Sequence, residues 1–85
     1  MYTKEIREIV ELHARLTKKV AELTDIDDLY GAGLNSLSTV NLMLALEDHF
    51  KVEFTDKMLS RKTFGSIQFL SEAIEDLVAK VSQSS

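Results

Sequence analysis

The chain contains no cysteine, no proline and only three glycines among its 85 residues. Without cysteine there is no disulfide framework, no thiol nucleophile and no thiolate metal site, which suits a reducing compartment. With proline absent and glycine this sparse, long uninterrupted helices are expected. No apolar run approaches the roughly 18 residues of a membrane span. The first residues, "MYTKEIREIVEL", have neither a signal-peptide apolar core nor an Arg/Ser-rich, acid-poor transit pattern. The expectation is a cytoplasmic protein with no membrane association. At this length it forms one domain, which buries about 60–65% of the surface its unfolded chain exposes. That domain is expected over residues 1–81, with the "SQSS" at 82–85 as a disordered tail.

The net charge of −4 is unevenly spread. Residues 1–21 hold five basic and three acidic groups, whereas 22–50 hold six acids (Glu22, Asp25, Asp27, Asp28, Glu47, Asp48) and no Lys or Arg. Lys51, Lys57, Arg61 and Lys62 then swing the balance back. An acidic centre argues against nucleic acid as a partner and for a basic protein surface.

At about 100° per residue, Ile6, Ile9, Val10, Leu12, His13, Leu16, Thr17, Val20 and Leu23 share one side of a first helix with Thr3 as its cap. Lys4/Glu8, Arg7/Glu11 and Glu11/Arg15 are candidate pairs on its outer side. "TDIDDLYGAGLN" (24–35) is a loop, pinned to the core by Ile26, Leu29, Tyr30 and Leu34. A second helix is expected over 36–50 with Asn35 or Ser36 as cap, and a last one over about 66–81 with Ile67, Leu70, Ile74, Leu77, Val78 and Val81 inward. The connector has room for a short helical turn near Asp56 to Ser60. The fold class is therefore all-α, a small four-helix bundle of three long helices and one short one.

The second helix has two apolar faces. Leu42, Met43, Leu46 and Phe50 form a core stripe, and Leu37, Val40 and Leu44 lie nearly opposite, flanked by Glu47 and Asp48. Either neighbouring elements cover both faces or the second one docks a partner.

Ser36, exposed by its setting, invites a catalytic reading, which fails for want of a base. His49 is 13 residues along the same helix, about 20 Å away, and His13 is placed on the core face of the first helix. There is no G-x-S-x-G elbow. Two histidines without cysteine make no transition-metal site. "DIDDLYGAGLNS" lacks the glycine and the final glutamate of a calcium loop, and "GAG" is an isolated G-x-G. A serine at a helix start can cap it, or can carry an anion welcomed by unpaired N–H groups and the positive helix end. Position alone does not choose between them.

The string "DDLYGAGLNSLSTVNLMLALEDHF" resembles the phosphopantetheine-attachment segment of acyl, peptidyl and aminoacyl carrier proteins, roughly D-x-L-x-x-x-G-x-[DN]-S-L-x-x-V-x-L-x-x-x-L-E-x-x-F. Asp27 or Asp28, Leu29, Gly33, Asn35, Ser36, Leu37, Val40, Leu42, Leu46, Glu47 and Phe50 fall in register, and "FTD" and "TFGSIQFLSEAI" look like the connector and last helix of such domains. The resemblance implies that a phosphopantetheinyl transferase attaches 4′-phosphopantetheine to Ser36. The arm then carries an acyl or aminoacyl group from a loading ligase or synthase to a downstream acyltransferase. It further implies a monomer that catalyses nothing itself, docking through Asn35, Leu37, Val40, Asn41, Leu44, Glu47 and Asp48. Asn35 stands where an Asp is usual, which bears on the transferase that accepts the protein; Ser38 and Asn41 stand where fatty-acid carriers usually have acids, which points to a specialised carrier. Met43 and Phe69 narrow the expected acyl cavity and favour small cargo. The competing reading is a small helical adaptor that binds through the Leu37/Val40/Leu44 stripe, with Ser36 only a cap.

Overall fold

The computed structural model describes residues 2–84, with side chains through residue 81. Among them are three α-helices, α1 (Thr3–His13), α2 (Ser36–Phe50) and α3 (Ile67–Ser84), two three-residue 3₁₀ turns, and no strand. Where a short helical turn is expected near Asp56 to Ser60, the connector has the 3₁₀ turn Asp56–Met58. Helix α1 packs against both α2 and α3. Ile6, Val10, Leu29, Leu42, Leu46, Ile67, Leu70 and Ile74 form the fully buried centre. Because Leu42 and Leu46 lie one turn apart on α2, their side chains fill the same inter-helix seam.

The first helix is shorter than its periodicity predicts. Ala14 closes it by donating to the Val10 carbonyl, and Arg15 then takes a left-handed φ of 51°. The apolar residues beyond the break still face inward, but from a loop and a 3₁₀ turn (Val20–Glu22) in which Val20 and Leu23 are buried. Leu12 and His13, expected inside, are exposed. Thr3 does not cap α1: Tyr2 precedes it and no side chain bonds its first turn. Nor do the expected surface pairs of α1 form. Arg7 reaches across to the Asp25 carboxylate at 2.6 Å and the Val20 carbonyl at 3.1 Å, stitching the loop to the helix.

The long loop is held by its backbone. Leu29 donates to the Gly65 carbonyl at 2.8 Å and Gln68 to the Asp25 carbonyl at 2.9 Å, so the loop is fastened to the start of α3. Thr17 donates its N–H and its hydroxyl to the Ala32 carbonyl, at 2.8 and 2.9 Å. That crossing requires Gly33, whose φ is +116° and where a Cβ would sit 2.8 Å from the Thr17 nitrogen. Leu29 and Leu34 anchor the loop in the core with Tyr30 half-buried, while Ile26 is exposed. Helix α3 starts where Ser66 Oγ accepts from the Phe69 N–H at 3.1 Å and buries Ile67, Leu70, Ile74 and Leu77, but leaves Val81 and Phe69 exposed. Phe69 therefore occupies no interior cavity. The helix continues past 81; of the tail expected at 82–85, residue 85 and the side chains of 82–84 lie outside the described residues.

Candidate functional site

Helix α2 starts at Ser36, and the residue that caps it is Asn35. The Asn35 Oδ1 accepts from the Ser38 N–H at 3.0 Å, while Ser38 Oγ accepts from the Asn35 N–H at 2.9 Å. This reciprocal pair is a capping box in which serine replaces the usual Glu or Gln three residues on. Ser38 is buried in consequence. Ser36, at the first helical position, is exposed and has no part in the cap. The signal for Ser38 was in the string "NSLS", where Asn and Ser sit three apart.

The serines separate sharply on this basis. Of those with described side chains, Ser38, Ser60, Ser66 and Ser71 each engage a hydrogen-bond partner. Only Ser36 presents an exposed hydroxyl with no partner among the described residues. Beside it runs a groove of about 420 Å³ between α2 and the connector, bordered by Tyr30, Val40, Met43, Leu59, Arg61 and Phe64. The Arg61 guanidinium lies 4.0 Å from the centre of the Tyr30 ring, a cation–π contact that holds a positive charge at the groove edge. The Ser36 and Leu37 N–H groups, at the positive end of α2, have no acceptor within the helix.

The outer face of α2 is open. Leu37, Val40 and Leu44 are 73, 48 and 54% exposed, so neither α1 nor α3 covers the second stripe. Asn35, Asn41 and Asp48 are exposed on the same side. Glu47, expected to flank this stripe, also makes an internal bond. It is half-buried, and its Oε2 accepts from the Phe54 N–H at 2.8 Å, bracing the connector against α2. The acids of 22–50 are largely used in this way. Asp25 meets Arg7, Asp27 and Asp28 accept from the Thr24 and Tyr30 N–H groups, and Asp48 lies 3.6 Å from Lys51. Each of these acids thus has a partner in the fold, and those bonded to backbone N–H groups keep their negative charge.

Neither histidine borders the groove beside Ser36. His49 Nε2 lies 3.0 Å from a Glu5 oxygen across the α1–α2 seam, and the exposed His13 ends α1. The described residues also hold no cluster of three metal-ligating His, Asp or Glu, and no helix long and apolar enough to cross a membrane.

Comparison with known proteins matches the phosphopantetheine attachment site family to residues 7–74, a span that holds α2, the groove and the connector. The chain belongs to this phosphopantetheine-attachment family. Its cofactor is 4′-phosphopantetheine, covalently bound to a serine. The groove and the unpaired N–H groups at the head of α2 fit that group, since a phosphodiester finds donors there and the arm finds apolar side chains. An aminoacyl carrier protein of Agrobacterium fabrum is 47% identical over 73 residues, covering 86% of this chain and 83% of its own length. A chain from a crystal structure of an engineered Bradyrhizobium japonicum glycine:[carrier protein] ligase, complexed with carrier protein from Agrobacterium tumefaciens and AMP, superposes with a TM-score of 0.82. It is 40% identical, with 86% of this chain and 97% of that one covered. Holo acyl carrier protein from Nitrosomonas europaea superposes equally well at 0.82, with 26% identity over 93% of this chain and 98% of its own.

Proposed function

We propose that Ser36 bears the 4′-phosphopantetheine and that this member of the family is a non-catalytic aminoacyl carrier. The observation that carries the assignment is the contrast among serines: four are engaged in hydrogen bonds, and the exposed Ser36 hydroxyl is free beside a groove of about 420 Å³. A cap would have consumed that hydroxyl, but Asn35 and Ser38 do the capping. The adaptor reading cast Ser36 as the cap, a role that Asn35 and Ser38 fill here.

In attachment, the Ser36 oxygen forms the new bond to phosphorus. The bond from that phosphorus to the nucleotide part of coenzyme A breaks, and the hydroxyl proton leaves to a base of the phosphopantetheinyl transferase. The arm supplies a terminal thiol that holds the aminoacyl group as a thioester. What the chain itself contributes is placement. The first turn of α2 offers the Ser36 and Leu37 N–H groups to the phosphodiester, Arg61 sets a positive charge at the groove edge, and Leu37, Val40 and Leu44 present an apolar docking face. Asn35 contributes through the cap, Asn41 and Asp48 lie within the docking face, and Glu47, half-buried at its edge, braces the connector. Tethering the cargo raises its effective concentration at a docked enzyme. In this reading residues 1–81 form the carrier domain, with the Asp56–Met58 turn standing in for the fourth helix of the bundle. The domain works as a cytoplasmic monomer between a loading ligase and an acyltransferase.

The 47% identity to an aminoacyl carrier and the fold shared with a chain from a glycine:[carrier protein] ligase complex support amino acid as cargo. The test is direct loading of the arm-bearing chain by such a ligase with ATP and each amino acid in turn, read by intact mass. Transfer of one aminoacyl group is expected. Acceptance of fatty acyl groups alone would refute the aminoacyl assignment.

A further inference from the structure

Leu12 is 75% exposed, the most exposed large apolar side chain among the described residues, and a local cause puts it there. The left-handed turn at Arg15 ends α1 early and leaves its last residues beside α2 rather than in the core. Leu12, Arg15, Asn41 and Leu44 border one hollow of about 370 Å³. A second, of about 350 Å³, shares Arg15 and Asn41 and adds Leu37. The three leucines therefore form one surface around Arg15 that spans two helices. Single exposed leucines are ordinary, but a contiguous group of them marks an interaction surface.

The charge beside this surface is positive. Arg15, Lys18 and Lys19 are exposed, and none is in an ion pair among the described residues. The one acid with them around the adjoining hollow is Glu11. Of the acids by the α2 stripe, the exposed Asp48 lies 3.6 Å from Lys51 and the half-buried Glu47 accepts from the Phe54 N–H. The positive edge comes from the basic first segment, residues 1–21, set beside the α2 that the acidic segment supplies.

We infer that the docking surface extends from α2 across the end of α1, and that its occupant is the loading ligase, through an apolar patch edged by carboxylates that face Arg15. The inference rests on the proposed carrier function. Its sign follows from charge complementarity: an apolar partner with a basic edge would be repelled by Arg15, Lys18 and Lys19, and one with an acidic edge is drawn in.

The test uses the arm-bearing chain with the glycine:[carrier protein] ligase of Bradyrhizobium japonicum, ATP and glycine, and measures glycylation rate against carrier concentration. Arg15→Glu is expected to raise KM about tenfold with kcat nearly unchanged, since it sets like charges together at the interface edge. Arg15→Lys stays close to wild type, and Leu12→Ala raises KM a few-fold. Added salt raises the wild-type KM but not that of Arg15→Glu. Circular dichroism and unimpaired attachment of the arm establish that each variant is folded. An unchanged or lowered KM for Arg15→Glu overturns the inference. So does a wild type that associates with itself and becomes monomeric on Leu12→Ala, because a second copy would then be the occupant. If the wild type accepts the arm but is neither bound nor charged by the ligase, the choice of occupant is wrong while attachment at Ser36 stands. Failure to accept the arm at all would count against the carrier function itself.

Discussion

Asn35→Ala and Ser36→Ala, compared side by side, separate structural from chemical work at neighbouring positions. Asn35 Oδ1 accepts from the Ser38 N–H at 3.0 Å, and removing it orphans one donor of the first turn and breaks the reciprocal bond geometry with Ser38. Loss of such a cap costs about 1 kcal/mol, within a range of about 0.5–2. In a domain of this size that lowers Tm by about 4–8 °C. Ser36→Ala removes an exposed hydroxyl that bonds nothing, and its cost stays within about 0.5 kcal/mol. Asn35→Asp keeps the acceptor and adds a negative charge at the positive helix end, worth about 0.3–1 kcal/mol of stabilisation at low salt. Thermal melts followed at 222 nm, with urea titrations for the free energies, read all three. The double variant Asn35→Ala/Ser38→Ala should cost less than the sum of its singles, because either change alone disrupts the same pair. If Ser36→Ala destabilises as much as Asn35→Ala, then Ser36 is the cap and the division of labour proposed for this turn is wrong.

Gly33→Ala should cost about 1–3 kcal/mol from its positive φ alone, with more from the 2.8 Å approach to Thr17, as measured by urea denaturation. Leu46→Ala, at a fully buried position in the α1–α2 seam, should cost about 2–5 kcal/mol in the same assay. Glu47→Ala should cost about 1–2 kcal/mol and speed hydrogen exchange at the Phe54 amide, whose acceptor it removes, while leaving attachment at Ser36 intact. Val40→Asp and Leu44→Asp, both on the open face of α2, should melt like wild type yet lose loading by the ligase; unfolding of either would mean that the stripe is part of the core.

Helix α2 was legible because every local signal agrees on it. Asn precedes the first helical residue, the apolar stripe of Leu42 and Leu46 recurs at helical spacing, and turn formers lie upstream. Its second stripe was legible as a pattern, but only packing could show that nothing covers Leu37, Val40 and Leu44. The end of α1 was not legible. Leu12, Leu16, Val20 and Leu23 keep the helical period across the break, and the residue that turns left-handed is an arginine rather than the glycine or asparagine that usually marks such a point. Charge was the least readable property. Composition counts six acids between 22 and 50 but cannot tell that Asp27, Asp28 and Glu47 accept from backbone N–H groups, because those partners exist only once the loop and connector have folded. Phe69 illustrates the same limit: its size suggested cavity filling, yet its register on α3 turns it outward.

The central claim, that Ser36 alone takes the arm, is most directly tested by incubating wild type and Ser36→Ala with coenzyme A and a transferase of demonstrated activity, followed by intact-mass measurement and peptide mapping. One phosphopantetheine group is expected on the wild type, mapped to the peptide holding Ser36, and none on the variant. A wild type left unmodified by an active transferase, or an arm that still attaches to Ser36→Ala, would contradict it.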